Sequence, residues 1–321
     1  MRRIGNGPGQ ASRAPEATST TAGPKSESAA LLATRSLAPI VCAIDDRYAT
    51  PLGVLMRSLA AVHADAVAEL RMLVVYQQLS EGNRSALVRL GNELGLAVQL
   101  VAAGRAAARG PVSGWVSEAV YLRLQLADLL KTDGVVLYLD ADVLAVGDLR
   151  PLLRQPLHGA VLAAVRDPQN PLVGGGFALP GWRRIGVPAG REYFNSGVML
   201  LDLGRCRRSG LFDRAARFLA DFPDEVLLWD QDALNVAAED RWLRLERRWN
   251  TFVLSPLVDQ PGFIHTDAEP VMPLTQLLDD EHTAALLHFA GSDKPWLPGY
   301  PAGPMRERYT SFLGDAAGAR R

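Results

Sequence analysis

Two carboxylates, Asp140 and Asp142, stand one residue apart where the apolar run Val135-Val136-Leu137-Tyr138-Leu139 ends. Side chains at i and i+2 of an extended backbone project to the same side, so the pair can converge on one cation. The run itself has the continuous apolar character of a strand buried on both faces. Open α/β sheets bind ligands beyond the carboxyl ends of such strands, where this pair falls. An Asp-x-Asp also serves simply to cap a turn or helix, so the neighbouring chemistry has to decide.

Other segments carry groups that need an explanation. Asp45 and Asp46 end another apolar strand, Pro39–Ile44, and Arg47 and Tyr48 follow. Arg123 lies inside a stretch apolar nearly all round, and a charge there requires a partner or a route to water; snorkelling, Glu118 and Asp128 are the local options. Asp230-Gln231-Asp232 opens a helix with acidic residues in its first turn. His288 sits in the last apolar strand, which runs into Gly291-Ser292-Asp293-Lys294-Pro295-Trp296.

The elements that must position these groups alternate. The strand 39–44 is followed by a helix with Thr50 as N-cap and Pro51 at its first position. Next come a strand over 70–76, a helix capped by Ser80 and stopped at Gly95, and a strand over 96–102. This β-α-β-α-β order opens a parallel sheet. A helix is predicted over 118–130, then the central strand, then a strand over 159–165. Residues 166–192, which carry Pro168, Pro171, Gly174-Gly175-Gly176, Pro180 and Pro188, read as a long lid or binding loop. Strands over 198–203 and 284–289 and helices from 211 and 230 complete the pattern, with an irregular end. The Gly-, Pro-, Ser- and Thr-rich residues 1–36 read as a disordered leader, and 37–321 as one α/β domain.

Composition excludes several classes. A chain of 321 residues that is 48% apolar can bury a full core. Its net charge of −1 gives no general attraction to nucleic acid or anionic membranes. Two cysteines, Cys42 and Cys206, form no disulfide or metal pattern and suit a reducing cytoplasm. No run reaches the ~18 apolar residues of a membrane span, and no apolar segment follows the N-terminal Met1-Arg2-Arg3 as in a signal peptide.

Six stretches fall in an order that resembles the family 8 glycosyltransferases, retaining nucleotide-sugar enzymes of the GT-A fold. They are Asp45-Asp46-x-Tyr48, Tyr121-x-Arg123-Leu124, Tyr138-Leu139-Asp140-Ala141-Asp142-Val143-Leu144, Tyr193-Phe194-Asn195-Ser196-Gly197-Val198, Asp230-Gln231-Asp232-x-Leu234-Asn235 and His288-Phe289-x-Gly291-x-x-Lys294-Pro295-Trp296. The resemblance implies that Asp140, Asp142 and His288 hold a divalent metal. Two carboxylates and an imidazole suit Mn²⁺ better than Mg²⁺, which favours all-oxygen sites. It further implies a UDP-sugar donor, UDP-galactose or UDP-glucose, and a glycan or other acceptor. Asp45 and Tyr48 would meet the nucleotide base, Arg123 and Lys294 the phosphates or donor sugar, and Asn195 one of the sugars. Gln231 would face the anomeric carbon and Asp230 the sugar hydroxyls. Retention by double displacement requires a carboxylate nucleophile, and an amide is a poor one, so front-face substitution is expected. Two departures stand out: Arg47 replaces the family's usual Asn, and the chain stops at Arg321 without the basic, aromatic tail that holds some members to membranes.

Other readings make distinct expectations. A nucleotide-sugar-binding protein without activity would keep the fold and bind UDP without turnover, and a glycogenin-like protein would glucosylate itself. The strand with Asp-x-Asp-Val-Leu also resembles the first motif of haloacid-dehalogenase-type phosphatases. That motif normally opens its domain, whereas three strands precede it here. Among the aromatic residues, Trp182, Trp229, Trp242 and Trp249 are candidates for stacking on acceptor sugars, with the core as the ordinary alternative. His63, His158, His265 and His282 read as structural or exposed.

Overall fold

The computed structural model describes residues 36–104, 112, 116–265 and 269–314. The leader expected over 1–36 therefore lies outside the described residues, apart from Ser36.

β1 (Ile40–Ile44), α1 (Ala49–Val62), β2 (Arg71–Tyr76), α2 (Glu81–Leu94) and β3 (Ala97–Ala102) reproduce the expected opening, with the three strands parallel. The Ser80 hydroxyl accepts from the Asn83 N–H at 3.3 Å, and α2 stops at Gly95, whose φ of 71° suits a residue without Cβ. The start of α1 differs from the expectation. Asp45 accepts from the Arg47 N–H and caps a 3₁₀ turn, Asp46–Tyr48, which feeds directly into the helix, so Thr50 lies inside the first turn and caps nothing.

The segment expected as one helix is a 3₁₀ helix, Glu118–Gln125, followed by the short α3 (Leu126–Leu130). Three residues per turn put Arg123 in line with Val120 instead of Glu118 or Asp128, and its Nε donates to the Val120 carbonyl at 3.1 Å. β4 (Val135–Leu139) and β5 (Val143–Ala145) flank the two carboxylates, and α4 (Arg150–Leu153) and β6 (Leu162–Arg166) follow. Then come β7 (Phe194–Asp202), α5 (Leu203–Ser209), α6 (Leu211–Asp221), α7 (Trp229–Ala238), β8 (Trp242–Arg244), β9 (Thr251–Phe252), α8 (Leu274–Thr283) and β10 (Leu286–His288). The end is not irregular as expected: α9 (Pro304–Thr310) begins on a proline, which fits a first helical position.

Among the described residues the strands form a seven-stranded sheet, β3-β2-β1-β4-β7-β6-β8, and a three-stranded sheet, β5-β10-β9. β7 alone runs antiparallel to its neighbours in the large sheet. Residues 136–139 of β4 are 0% exposed and alternate between two cores. Leu137 and Leu139 pack with Leu52, Leu55 and Leu59 of α1, and Val136 and Tyr138 pack with Leu122 and Leu126 on the other face. The turn at 140–142 carries the chain from one sheet to the other. The Asp140 N–H still donates to the Gly197 carbonyl of β7 at 2.8 Å, while the Asp142 carbonyl accepts from the Phe289 N–H, just past β10, at 3.1 Å.

Candidate active site

β10 pairs with β5 so that His288 lies opposite Val143, which sets the imidazole beside Asp142. The two carboxylates sit in a turn and not in the extended backbone expected, yet they converge. One donor atom from each of Asp140, Asp142 and His288 falls within 4.8 Å of the others. His288 Nε2 is 3.4 Å from Asp142 Oδ1, and that oxygen is buried without a hydrogen-bond partner. A buried carboxylate oxygen left bare next to an imidazole nitrogen is what a cation would satisfy, and this oxygen–oxygen–nitrogen set is one that Mn²⁺ accepts. The residues present thus fit a divalent ion.

The corner is ringed by fixed charge. Lys294 is buried, not solvated, and its Nζ donates to Asp142 Oδ2 and to the Phe289 carbonyl, both at 2.6 Å. Burial pushes the Asp142 pKa up, but the Lys294 ammonium leads the groups that outweigh it and hold the carboxyl well below its usual range. Arg123, 4% exposed, takes neither local partner. Its Nη2 donates to Asp140 Oδ1 at 2.8 Å, its Nε lies 3.1 Å from Asp230 Oδ2, and its Nη1 donates to the Ser196 carbonyl and hydroxyl at 3.0 Å. The guanidinium also covers the Tyr138 ring at 4.6 Å. For Asp230, burial outweighs Arg123 and raises the pKa to about 6.

Gln231 is held from three sides. Its Oε1 accepts from Asn195 Nδ2 and the Ser196 N–H, each at 2.9 Å, and its Nε2 donates to Asp167 Oδ2 at 3.2 Å. Asn195 Oδ1 in turn accepts from the Gly197 N–H at 3.0 Å and from Asn250 Nδ2 at 2.8 Å. Asn250 Oδ1 is 2.8 Å from His288 Nδ1. Gly197 permits this crowding, since a Cβ there would stand 2.4 Å from His288 Cε1 and 3.0 Å from Asp140 Oδ2.

These groups line one cavity with about 1110 Å³ of empty space, open solvent included. Of the residues singled out in the sequence, Tyr48, Arg123, Asp140, Asp142, Asn195, Asp230, Gln231, His288 and Lys294 all line it. Asp45 does not; its carboxylate caps the 3₁₀ turn and pairs with Arg47 at 3.3 Å. Tyr48 meets Trp296 edge-on, with centroids 5.9 Å apart. Trp229 is the one tryptophan of the four that reaches the cavity; Trp242 and Trp249 are buried in the cores and Trp182 packs against one.

The long loop between β6 and β7 supplies Asp167, Gln169, Asn170 and Phe177 to the lining, as a binding loop should. It is packed down. A Cβ on Gly176 would stand 2.3 Å from Asn170 Oδ1, and one on Gly174 2.7 Å from the Ala189 Cβ. Asp232, fully buried, ties this loop to the approach to α7. It accepts from the Leu179 N–H and the Tyr193 hydroxyl on one oxygen and from the Leu227 and Leu228 N–H groups on the other.

Sequence reasoning missed Asp167 and Asn250. Asp167 follows the strand Leu162–Arg166, one charged residue past its apolar run, a weaker form of the signal that marks Asp140. Asn250 is a single polar residue before a two-residue strand, and no pattern marks it.

Residues 39–298 match the family description "Glycosyl transferase family 8". The chain is 27% identical over 281 residues to general stress protein A of Bacillus subtilis, spanning 85% of this chain and 92% of that protein. It is 33% identical over 183 residues to the lipopolysaccharide 1,2-glucosyltransferase of Escherichia coli, spanning 56% of this chain and about half (49%) of that protein. Its fold resembles that of the galactosyltransferase LgtC in complex with donor and acceptor sugar analogues, with a TM-score of 0.68 and 28% identity over 86% of this chain and 95% of the other.

Proposed function

Because the chain belongs to glycosyl transferase family 8 and has the GT-A fold, we propose that it is a retaining hexosyltransferase using UDP-galactose or UDP-glucose and a divalent metal. The observation that carries this reading is the single cavity in which Asp140, Asp142 and His288 converge at one corner while Gln231 is held rigid beside them. The family match leaves the phosphatase alternative without support.

Asp140, Asp142 and His288 would hold the ion, Mn²⁺ or Mg²⁺, which when bound neutralises the diphosphate as the glycosidic bond breaks. Lys294 and Arg123 add fixed positive charge at the same end. Tyr48, on the lining beside the tip of β1, is placed to stack on the base. The donor hexose then falls toward Asp230 and Gln231. Asp230, once ionised, accepts from sugar hydroxyls while Arg123 keeps it oriented. Gln231 is an amide, and the carboxylates nearest it are already engaged, Asp230 by Arg123 and Ser196 and Asp167 by Asn170, Asn195 and Gln231 itself. Such an arrangement supports front-face substitution: the acceptor oxygen attacks on the side from which the diphosphate departs, and the diphosphate takes its proton. The Gln231 carbonyl, locked by its donors, presents a preorganised partial negative charge to the developing oxocarbenium.

The acceptor is a glycan or another hydroxyl-bearing molecule that enters past Phe177 and Trp229, aromatic residues on the lining. No described helix is long and apolar enough to cross a membrane. Both thiols are buried, with that of Cys206 pushed up to about 12, and they suit a reducing cytoplasm, where we place the reaction. The test is UDP release from UDP-galactose and UDP-glucose with a panel of sugar acceptors, with the product's anomeric configuration read by NMR. An α-linked product, formed with Mn²⁺ and not with EDTA, is expected. A β-linked product or metal-independent release would overturn the assignment.

A further inference from the structure

The three side chains His288, Asn250 and Asn195 form a chain whose hydrogen-bond directions are fixed from one end. The Gly197 backbone N–H can only donate, and it reaches Asn195 Oδ1 at 3.0 Å. The Ser196 N–H, also only a donor, reaches Gln231 Oε1 at 2.9 Å, so the Asn195 group facing that oxygen must be its Nδ2. Two backbone donors therefore set Asn195 the same way round from both sides. Asn250 must then turn its Nδ2 toward Asn195 Oδ1, which it meets at 2.8 Å, and its Oδ1 toward His288 Nδ1, also at 2.8 Å. A carbonyl oxygen only accepts, so His288 carries its proton on Nδ1. In the neutral ring the lone pair is then left on Nε2, the nitrogen that faces Asp142 at 3.4 Å. Asn250 and Asn195 are 2% and 7% exposed, so water offers Nδ1 little alternative.

We propose that Asn250 is a positioning residue that holds His288 in the Nδ1–H tautomer, ready to ligate through Nε2, and that links this ligand to Gln231 through Asn195. An imidazole ligand whose other nitrogen is so engaged is oriented and made a better donor, and losing that partner ordinarily weakens metal affinity about 10- to 100-fold. The proposal rests on the metal-site reading above, but its tautomer arm does not require metal.

The first arm is ¹⁵N NMR of the metal-free full chain with labelled histidine, recorded at a pH where the His288 ring is neutral, His288 being assigned by comparison with His288→Gln. The expected result is an Nδ1–H tautomer in the wild type and a shift toward Nε2–H or a mixture in Asn250→Leu. The second arm is Mn²⁺ affinity, followed by the loss of free Mn²⁺ signal in electron paramagnetic resonance. Asn250→Leu should weaken it about 10- to 100-fold. Asn250→Asp keeps an acceptor for Nδ1–H and should lose far less affinity than Asn250→Leu. It loses the donor to Asn195, so UDP-hexose turnover should fall even at saturating Mn²⁺. An Nε2–H tautomer in the wild type overturns the proposal, as does unchanged affinity in Asn250→Leu or an equal loss in both variants. Wild-type protein with the expected tautomer but no Mn²⁺ binding would instead sink the metal-site reading.

Discussion

Asp230 is a fully buried carboxylate, 3.1 Å from the Arg123 Nε, and its pKa is raised to about 6 because burial exceeds the help from Arg123. A carboxyl whose folded pKa lies above its unfolded value favours the fold when protonated. Its contribution is fully present below about pH 4, fades as pH rises through about 6, and amounts to about 3 kcal/mol for a shift of roughly two units. Activity should run the other way, since the ionised form accepts sugar hydroxyls and balances Arg123. The expected outcome is a rising limb in kcat/KM centred near pH 6 that Asp230→Asn removes, with a 10- to 100-fold lower plateau for the lost charged hydrogen bonds. A limb that survives in Asp230→Asn would assign it to another group. At this scale the sequence was readable where residue types are chemically loud. Asp140, Asp142, His288 and Gln231 announce themselves through type and motif. Asn250 does not, because an asparagine just ahead of a short strand looks like any surface polar residue until its neighbours are known. Arg123 was recognisable as needing a partner, but Asp140 and Asp230 are distant in sequence and only the fold supplies them.

β7 is the element on which the site is assembled. Its first residues, Phe194 to Gly197, place Asn195 on Gln231, Ser196 on Arg123, and the bare Gly197 against His288 and Asp140. A methyl group at 197 would need the buried imidazole to give way by well over half an ångström, with the Phe252 ring edge-on against it. Gly197→Ala should therefore leave a folded protein, destabilised by about 1–3 kcal/mol through overpacking. Its Mn²⁺ affinity should drop about tenfold or more, as misoriented ligands do. Thermal unfolding and Mn²⁺ titration of the same sample separate the two effects; full Mn²⁺ affinity would mean that the close approach is incidental. Elements with strong local signals were legible, such as α2 between Ser80 and Gly95. The 3₁₀ helix at 118–125 was not, since apolar residues all round give no periodicity that distinguishes three from 3.6 residues per turn. α9 was missed because Pro304 to Thr310 contains too few apolar residues to show a face, and its anchor Tyr309 earns its burial only against Phe289 and Trp296.

The whole molecule brings two sheets together at one turn. The large sheet delivers Asp140 just past the end of β4 and Asn195 on β7, the small sheet delivers His288 on β10, and residues 140–142 are the turn that joins the two. The parallel opening of the large sheet could be read from the order of strands and helices. The antiparallel insertion of β7 and the separate small sheet could not, because pairing partners far apart in sequence leave no local trace. This architecture also decides how the site should be probed. Asp142 is the carboxylate partner of the buried Lys294, so truncating it to alanine strands a charge and can cost about 3–5 kcal/mol of stability, whereas Arg123, the partner of Asp140, keeps Asp230. Asparagine removes the anionic ligand and the counter-charge but keeps the shape and an oxygen to which the Lys294 ammonium can still donate. The most direct measurement is calorimetric titration of UDP into wild-type protein and Asp142→Asn, each with Mn²⁺ and with EDTA. One charge pair at 4 Å is worth about 4 kcal/mol at an effective dielectric of ~20, and 1.4 kcal/mol is tenfold in affinity. The expected result is wild-type UDP binding tighter with Mn²⁺ than with EDTA by about a hundredfold or more, and an Asp142→Asn protein that remains folded but shows no such difference. Equal UDP affinity with and without Mn²⁺ in the wild type, or an undiminished Mn²⁺ effect in Asp142→Asn, would contradict the claim that these residues hold an ion for a nucleoside diphosphate.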